Sequence, residues 1–221
     1  GASDPKLHPT SLPCTIRTFG EHPPAAMKAL ELIDASTFDF VEKPTPEPGP
    51  DDLLIRVKAC GICGSDIHGM DGSSGRRIPP IVMGHEASGV VEQCGANIRA
   101  WSEGDRVTFD STIYCGECDY CKSGHVNLCE DREVLGVSTP DFRRQGAFAD
   151  EVGVPGRICH RVPESVPYEE AACAEPGTVA LRAVRRAQHQ AGDAAVGVGA
   201  GVIGRRGGPG AQRAGGTPDH G

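Results

Sequence analysis

Four cysteines in YCGECDYCKSGHVNLCED (114–131), namely Cys115, Cys118, Cys121 and Cys129, follow the spacing C-x2-C-x2-C-x7-C. Thiolates packed this closely match a closed tetrahedral Zn²⁺ site with no position left for substrate. An iron–sulfur cluster is the rival occupant, since it too takes four thiolates. Each ligand must be deprotonated, so metal binding and folding of this stretch are coupled. Such a metal would hold a loop in place and do no chemistry.

A second set is scattered: Cys63 in CGICGSDIH (60–68), His85 and Glu86 in GHEASG (84–89), and Glu175 in AEPGTVAL (174–181). Three N, S and O ligands from distant positions plus a water describe an open zinc. Zinc acting there as a Lewis acid would lower the pKa of a bound alcohol. The released proton then needs a route to solvent, and Ser65 followed by His68 offers a hydroxyl and a titratable imidazole. Asp66 could orient the His85 ring from behind. Taken singly these residues are weak signals, because a His-Glu pair is more often a solvated or capped surface feature. Cys14, Cys60, Cys94, Cys159 and Cys173 read as buried or inert thiols, and His125, His160 and His189 as surface residues.

Such ligands must be held by a frame, and the frame reads as β structure. Residues 1–26 hold five prolines and little hydrophobic pattern, which suggests an extension without fixed structure. A β pattern opens at Met27. Residues 37–42 alternate, KPTPEPGPDD (43–52) is a loop, and 53–60, 87–93, 106–110, 147–154 and 157–162 are further strand candidates. After Pro167 the pattern changes. Residues 168–175 and 178–190 read as helices, with Leu181, Val184 and Ala187 as an apolar stripe on the second. A small-residue strand at 194–198 and GAGVIG (199–204) follow.

Composition narrows the function classes. With 30 Gly and 18 Pro, the chain favours turn-rich β architecture over a bundle. A net charge of −8 argues against a nucleic-acid partner. No apolar run approaches the ~20 residues of a membrane span, and no export signal is evident. The 10 cysteines therefore read as metal ligands and free thiols of a soluble cytoplasmic protein.

Taken together, CGICGSDIH, GHEASGVV, EGDRV (103–107), the four-cysteine lobe, GAFADEV (146–152), AEPGTVAL and GAGVIG resemble the zinc-dependent medium-chain dehydrogenase family, in that family's order. The resemblance implies a mainly β GroES-like catalytic domain followed by an α/β Rossmann domain. It implies one catalytic zinc on Cys63, His85 and Glu175, with Glu86 beside it and able to enter its coordination, and one structural zinc on the four cysteines. Ser65, His68 and Glu86 would serve catalysis, passing hydride from a secondary alcohol or polyol to NAD or NADP. Glu before Pro at position 175 leans toward the sorbitol and other polyol dehydrogenases, with threonine or simple alcohol dehydrogenases next. Homo-oligomers would assemble through the nucleotide domain in an intact form.

Gly199, Gly201 and Gly204 fit the dinucleotide-binding G-x-G-x-x-G after a strand. That motif requires a following helix, whose N-terminal amides bind the pyrophosphate. Residues 205–221, RRGGPGAQRAGGTPDHG, hold six glycines, two prolines and no Val, Leu, Ile or Phe, which predicts no stable helix. Codons read one nucleotide later after Gly204 would permit A-V-A-V-Q-A-R-S-A-R-A-A-R-R-I-M, an amphipathic helix, so the tail reads as frameshifted or truncated. The expected organisation is an extension (1–26), a zinc-binding catalytic domain (27–177), the start of a nucleotide-binding domain (178–204) and an aberrant, disordered tail (205–221). A zinc-binding remnant without catalysis and a zinc-stabilised interaction module are the rival functions. Nucleotide binding separates them from a working dehydrogenase.

Overall fold

A computed structural model describes residues 26–139, 142–188, 194–196, 199, 201–205, 207 and 217–219. Alternating and continuous apolar runs give the first strands: β1 (Ala26–Asp34), β2 (Thr37–Pro44) and β3 (Asp52–Gly61). A short helix α1 (Gly64–Gly69), β4 (Ile81–Val82), β5 (Glu86–Cys94), β6 (Arg106–Phe109) and β7 (Thr112–Ile113) come next. The cysteine lobe carries α2 (Asp119–Lys122), a 3-10 turn and then β8 (Glu133–Leu135). The domain continues with β9 (Arg143–Arg144), β10 (Glu151–Pro155), β11 (Cys159–Arg161), α3 (Tyr168–Ala172) and α4 (Ala174–Arg186). β12 (Ala194–Val196) and β13 (Thr217–Asp219) are the last described strands.

A five-stranded sheet ordered β10-β3-β5-β6-β11 is the frame. Leu53 and Ile55 on β3, Val91 on β5, Val107 on β6 and Val154 on β10 are fully buried and pack in one cluster with Leu135. The opposite face of β3 is wet, and there Arg56 pairs with Glu92 and Glu151. A smaller cluster of Leu32, Ile81 and Met83 closes the side where β1 meets β4. The expected strand at 147–154 forms only from Glu151, because the residues before it bond elsewhere: Phe148 N–H donates to Met83 O and Gly146 N–H to Val82 O.

β5 runs so close to β3 that a Cβ on Gly89 would lie 2.1 Å from Arg56 O. That oxygen belongs to the ladder and cannot retreat without parting the two strands. Gly89→Ala is therefore expected to lower stability by about 2 kcal/mol or more, read as a fall in the thermal midpoint. An unchanged midpoint would show the sheet to be looser than this contact implies.

Three sequence expectations need correction. The helix read at 178–190 begins earlier, at Ala174, so that AEPG lies in its first turn; Pro176 is tolerated there because first-turn amides have no helical acceptor. Its stripe does not face the core: Leu181 is exposed, and within α4 only Pro176 and Ala180 are buried. The strand read at 194–198 forms at Ala194–Val196 and pairs in parallel with Thr217–Asp219. The expected lack of a helix over 205–221 fails at 205 and at 207, which are helical, Arg205 N–H donating to Gly201 O at 2.9 Å. The helix starts inside the motif at Val202 and Ile203, upstream of the glycine-rich tail. Most of 205–221, residues 1–25, Cys14 and His189 lie outside the described residues.

Candidate metal centres and active-site cavity

The four-cysteine lobe is shaped by two left-handed turns, Gly116 (φ +85°) and Gly124 (φ +84°), which only glycine adopts without strain. They fold Cys115, Cys118, Cys121 and Cys129 until all four sulfurs lie within 4.8 Å of one another. Cys115 Sγ and Cys121 Sγ are 3.9 Å apart, against about 3.8 Å for two sulfurs of a tetrahedron with ~2.3 Å Zn–S bonds. Backbone amides already point at the sulfurs: Glu117 and Cys118 N–H donate to Cys115 Sγ, and Cys115 N–H to Cys129 Sγ. The backbone N–H groups of Glu130 and Cys121 bring the Cys118 thiol down to about 7. Donor chemistry and spacing fit one zinc.

The second centre follows from the pairing of β3 with β5. Gly61, at the end of β3, stands opposite Glu86, at the start of β5. Two residues past Gly61, Cys63 caps α1, and the Cys63, His85 and Glu86 donor atoms lie within 4.8 Å of one another. A Cβ on Gly61 would come within 2.5 Å of Glu86 Oε2, so glycine leaves room for that carboxylate. Burial raises the Cys63 thiol against the opposing help of Ser65. His85 Nδ1 is buried without a hydrogen-bond partner, 3.6 Å from Asp66 Oδ1. A thiol, an imidazole and a carboxylate in one close set fit zinc.

Glu175 comes from the first turn of α4, held near β5 by α3, where Ser88 Oγ donates to Tyr168 O at 2.6 Å. It lines the same cavity as His85, Ser65 and His68 but does not join the close ligand set, where Glu86 stands instead. Ser111 Oγ donates to Glu175 Oε1 at 3.2 Å, and burial raises the Glu175 carboxyl while His85 opposes the rise. Ser65 and His68 are exposed on α1 at the cavity wall. The dinucleotide-motif glycines lie apart in sequence: Gly199 has φ +97°, and a Cβ on Gly204 would meet Gly199 O.

Sequence reasoning missed Arg77 and Ser111. Arg77 is 95% buried (5% exposed), and Nη2 donates to Asp66 Oδ1 and to Ser65 Oγ at 3.4 Å each. It lies across α1 because Gly69 has no side chain to block it. An arginine in DGSSGRR reads as loop charge, and nothing local signals its burial. Among the thiols expected to be inert, Cys60 and Cys159 are pushed up to about 12 by burial, and Cys94 is buried. No helix among the described residues is long and apolar enough to cross a membrane.

Against known proteins, the family model of the alcohol dehydrogenase GroES-like domain matches residues 49–164. The D-arabitol-phosphate dehydrogenase of Enterococcus avium is 40% identical over 151 residues, covering 68% of this chain and 42% of that protein. The sorbitol dehydrogenase of Bacillus subtilis is 34% identical over 184 residues, covering 82% and 51%. A zinc-binding dehydrogenase of Sinorhizobium meliloti 1021, solved bound to NADP, superposes with a TM-score of 0.79 at 37% identity, covering 87% of this chain and 55% of that one. The chain thus spans about half the length of the relatives it matches.

Proposed function

From the premise that this chain belongs to the zinc-dependent medium-chain dehydrogenases, with their alcohol dehydrogenase GroES-like domain, we propose that its cavity serves oxidation of a secondary alcohol of a polyol, with hydride passed to NAD or NADP. The observation that carries the reading is the close set of Cys63, His85 and Glu86 beside a cavity lined by Ser65, His68 and Glu175. Cys63, His85 and Glu86 would hold zinc, and Glu175 is the carboxylate nearby that can replace or join Glu86. Zinc, when bound, supplies Lewis acidity toward the alcohol oxygen. Ser65 accepts the alcohol proton and His68, exposed at the wall, hands it to solvent. Gly199, Gly201 and Gly204 would let the backbone approach the dinucleotide phosphates. Polyol chemistry is favoured by the arabitol-phosphate and sorbitol enzymes among the relatives, and a nicotinamide cofactor by NADP in the Sinorhizobium structure.

Metal analysis of the chain and of Cys63→Ser is the direct test. The wild-type chain should hold close to two zinc atoms and the variant one, with a small change in thermal midpoint, because Cys63 lies outside the hydrophobic clusters. Joined to a complete nucleotide-binding domain, Cys63→Ser should oxidise a polyol on the order of 10³-fold more slowly, since Lewis-acid stabilisation is worth several kcal/mol. Retention of two zinc atoms by the variant would remove Cys63 from the site.

A further inference from the structure

The cavity holding Ser65, His68 and Glu175 measures about 520 Å³, within the range of small-molecule sites. Three arginines, Arg76, Arg77 and Arg132, share its lining, with Glu175 as the one carboxylate among the described lining residues. In a chain of net charge −8, that concentration runs against the overall balance. Asp66 offsets part of the Arg77 charge at 3.4 Å. Arg132 stacks over the Phe142 ring, 4.7 Å away, while Nη1 donates to Cys129 O. Arg76 is exposed.

Three residues of this lining have a buried polar atom without a partner: His85 at Nδ1, beside Asp66, and the donors Arg77 Nε and Thr139 Oγ1. Buried donors without acceptors are rare and costly. The segments that carry them are fastened together, for Ser138 N–H and Oγ both reach Arg76 O, and Ile78 N–H donates to Ser138 Oγ. The unsatisfied donors are thus held in place on a braced wall. A multi-oxygen anion would satisfy them, since phosphate oxygens accept several charge-assisted bonds at once and guanidinium forks suit them.

We propose that the alcohol oxidised here carries a phosphate monoester, held by Arg76, Arg77, Arg132 and the Thr139 hydroxyl while its reacting carbinol faces the Cys63–His85 end of the cavity. The inference rests on the dehydrogenase reading of that cavity and adds the substrate's charge. Phosphate could also enter this cavity as part of the nicotinamide dinucleotide, so the test must separate the two sources.

Calorimetric titration of the zinc-loaded chain with D-glucitol 6-phosphate, D-glucitol, D-gluconate and NADH makes that separation. The phosphate ester should bind at least about tenfold tighter than glucitol, as one charge-assisted bond gained implies. Arg132→Gln and Thr139→Val should each erase most of that advantage and leave glucitol binding unchanged. Arg77→Gln risks the fold through Asp66, so the judgement falls on the other two variants. Equal affinities for glucitol and its phosphate, in protein holding two zinc atoms, would overturn the anion site and leave the polyol reading standing. Gluconate binding as tightly as the phosphate ester, or NADH losing affinity in Arg132→Gln, would overturn the phosphate monoester assignment. Loss of zinc from the Cys63 site would fall on the dehydrogenase reading instead.

Discussion

Cys115→Ser should empty the four-cysteine lobe of metal and unfold it, the largest single effect expected in this chain. Cys115 Sγ accepts two backbone amides and faces Cys121 Sγ, so it is central to the lobe's internal bonding. Secondary structure within the lobe is slight: one helix of four residues and one 3-10 turn. Little else pays the ordering entropy of this stretch, which metal binding, worth about 10–16 kcal/mol in small zinc domains, would supply. Losing one of four thiolates should cost several kcal/mol of that, a large share of a domain's usual ~5–15 kcal/mol. Hydrogen exchange should lose protection across residues 114–132, while β3, β5 and β6 keep theirs, since their cluster buries Leu53, Ile55, Val91 and Val107 without the lobe. Metal analysis should fall from two zinc atoms to one. Two zinc atoms in the variant would defeat the assignment, and iron with visible charge-transfer absorbance would give the lobe to an iron–sulfur cluster.

The same lobe should respond to pH. The Cys118 thiol sits lowered, at about 7, by amides that favour its thiolate. The neighbouring Cys121 thiol is pushed the other way, up to about 12, first by burial, so the pH dependence follows from the metal: its ligands must be thiolates, and protons compete for the four sulfurs as pH falls. Chelator extraction of the metal should accordingly be faster at pH 6 than at pH 8.

Legibility in the sequence followed the range of the interactions. The four cysteines lie within one short loop, and their spacing alone was enough to group them. Strands β3, β5 and β6 were legible because their apolar residues lie on continuous or alternating runs bounded by Gly and Pro. Glu86 and Glu175 show where local reading stops. Both were named, but which of them closes on Cys63 depends on the β3–β5 register and on a hydrogen bond from Ser111, two long-range facts. Arg77 was illegible for the same reason: its environment is made by α1, from a helix turn earlier in the chain. The tail after Gly204 reads as non-helical from its glycines and prolines, yet 205 and 207 are helical because the turn is already begun at Val202, inside the motif.

Asp66→Asn should damage fold and metal site together, and the two effects can be separated. Asp66 is 2% exposed and serves three neighbours. Oδ2 accepts the Cys63 N–H at 3.0 Å, Oδ1 accepts Arg77 Nη2 at 3.4 Å, and Oδ1 lies 3.6 Å from His85 Nδ1. Asparagine keeps the size and one acceptor oxygen, so the cap on α1 can survive. What disappears is the charge opposite Arg77, whose guanidinium is then buried without compensation, at a cost of about 3–5 kcal/mol. His85 loses the carboxylate 3.6 Å from its Nδ1, and if metal binding draws that pair into a hydrogen bond, its removal should lower metal affinity by about 10–100-fold. Adding Arg77→Met to the variant removes the stranded charge, so much of the thermal midpoint should return. Zinc affinity at the Cys63–His85 site, measured by competition with a chromophoric chelator, should stay low, because the imidazole still has no carboxylate behind it. Recovery of both properties in the double variant would mean that Asp66 acts on the metal only through the stability of the fold. No change in either property in Asp66→Asn would show that the buried carboxylate supports neither neighbour.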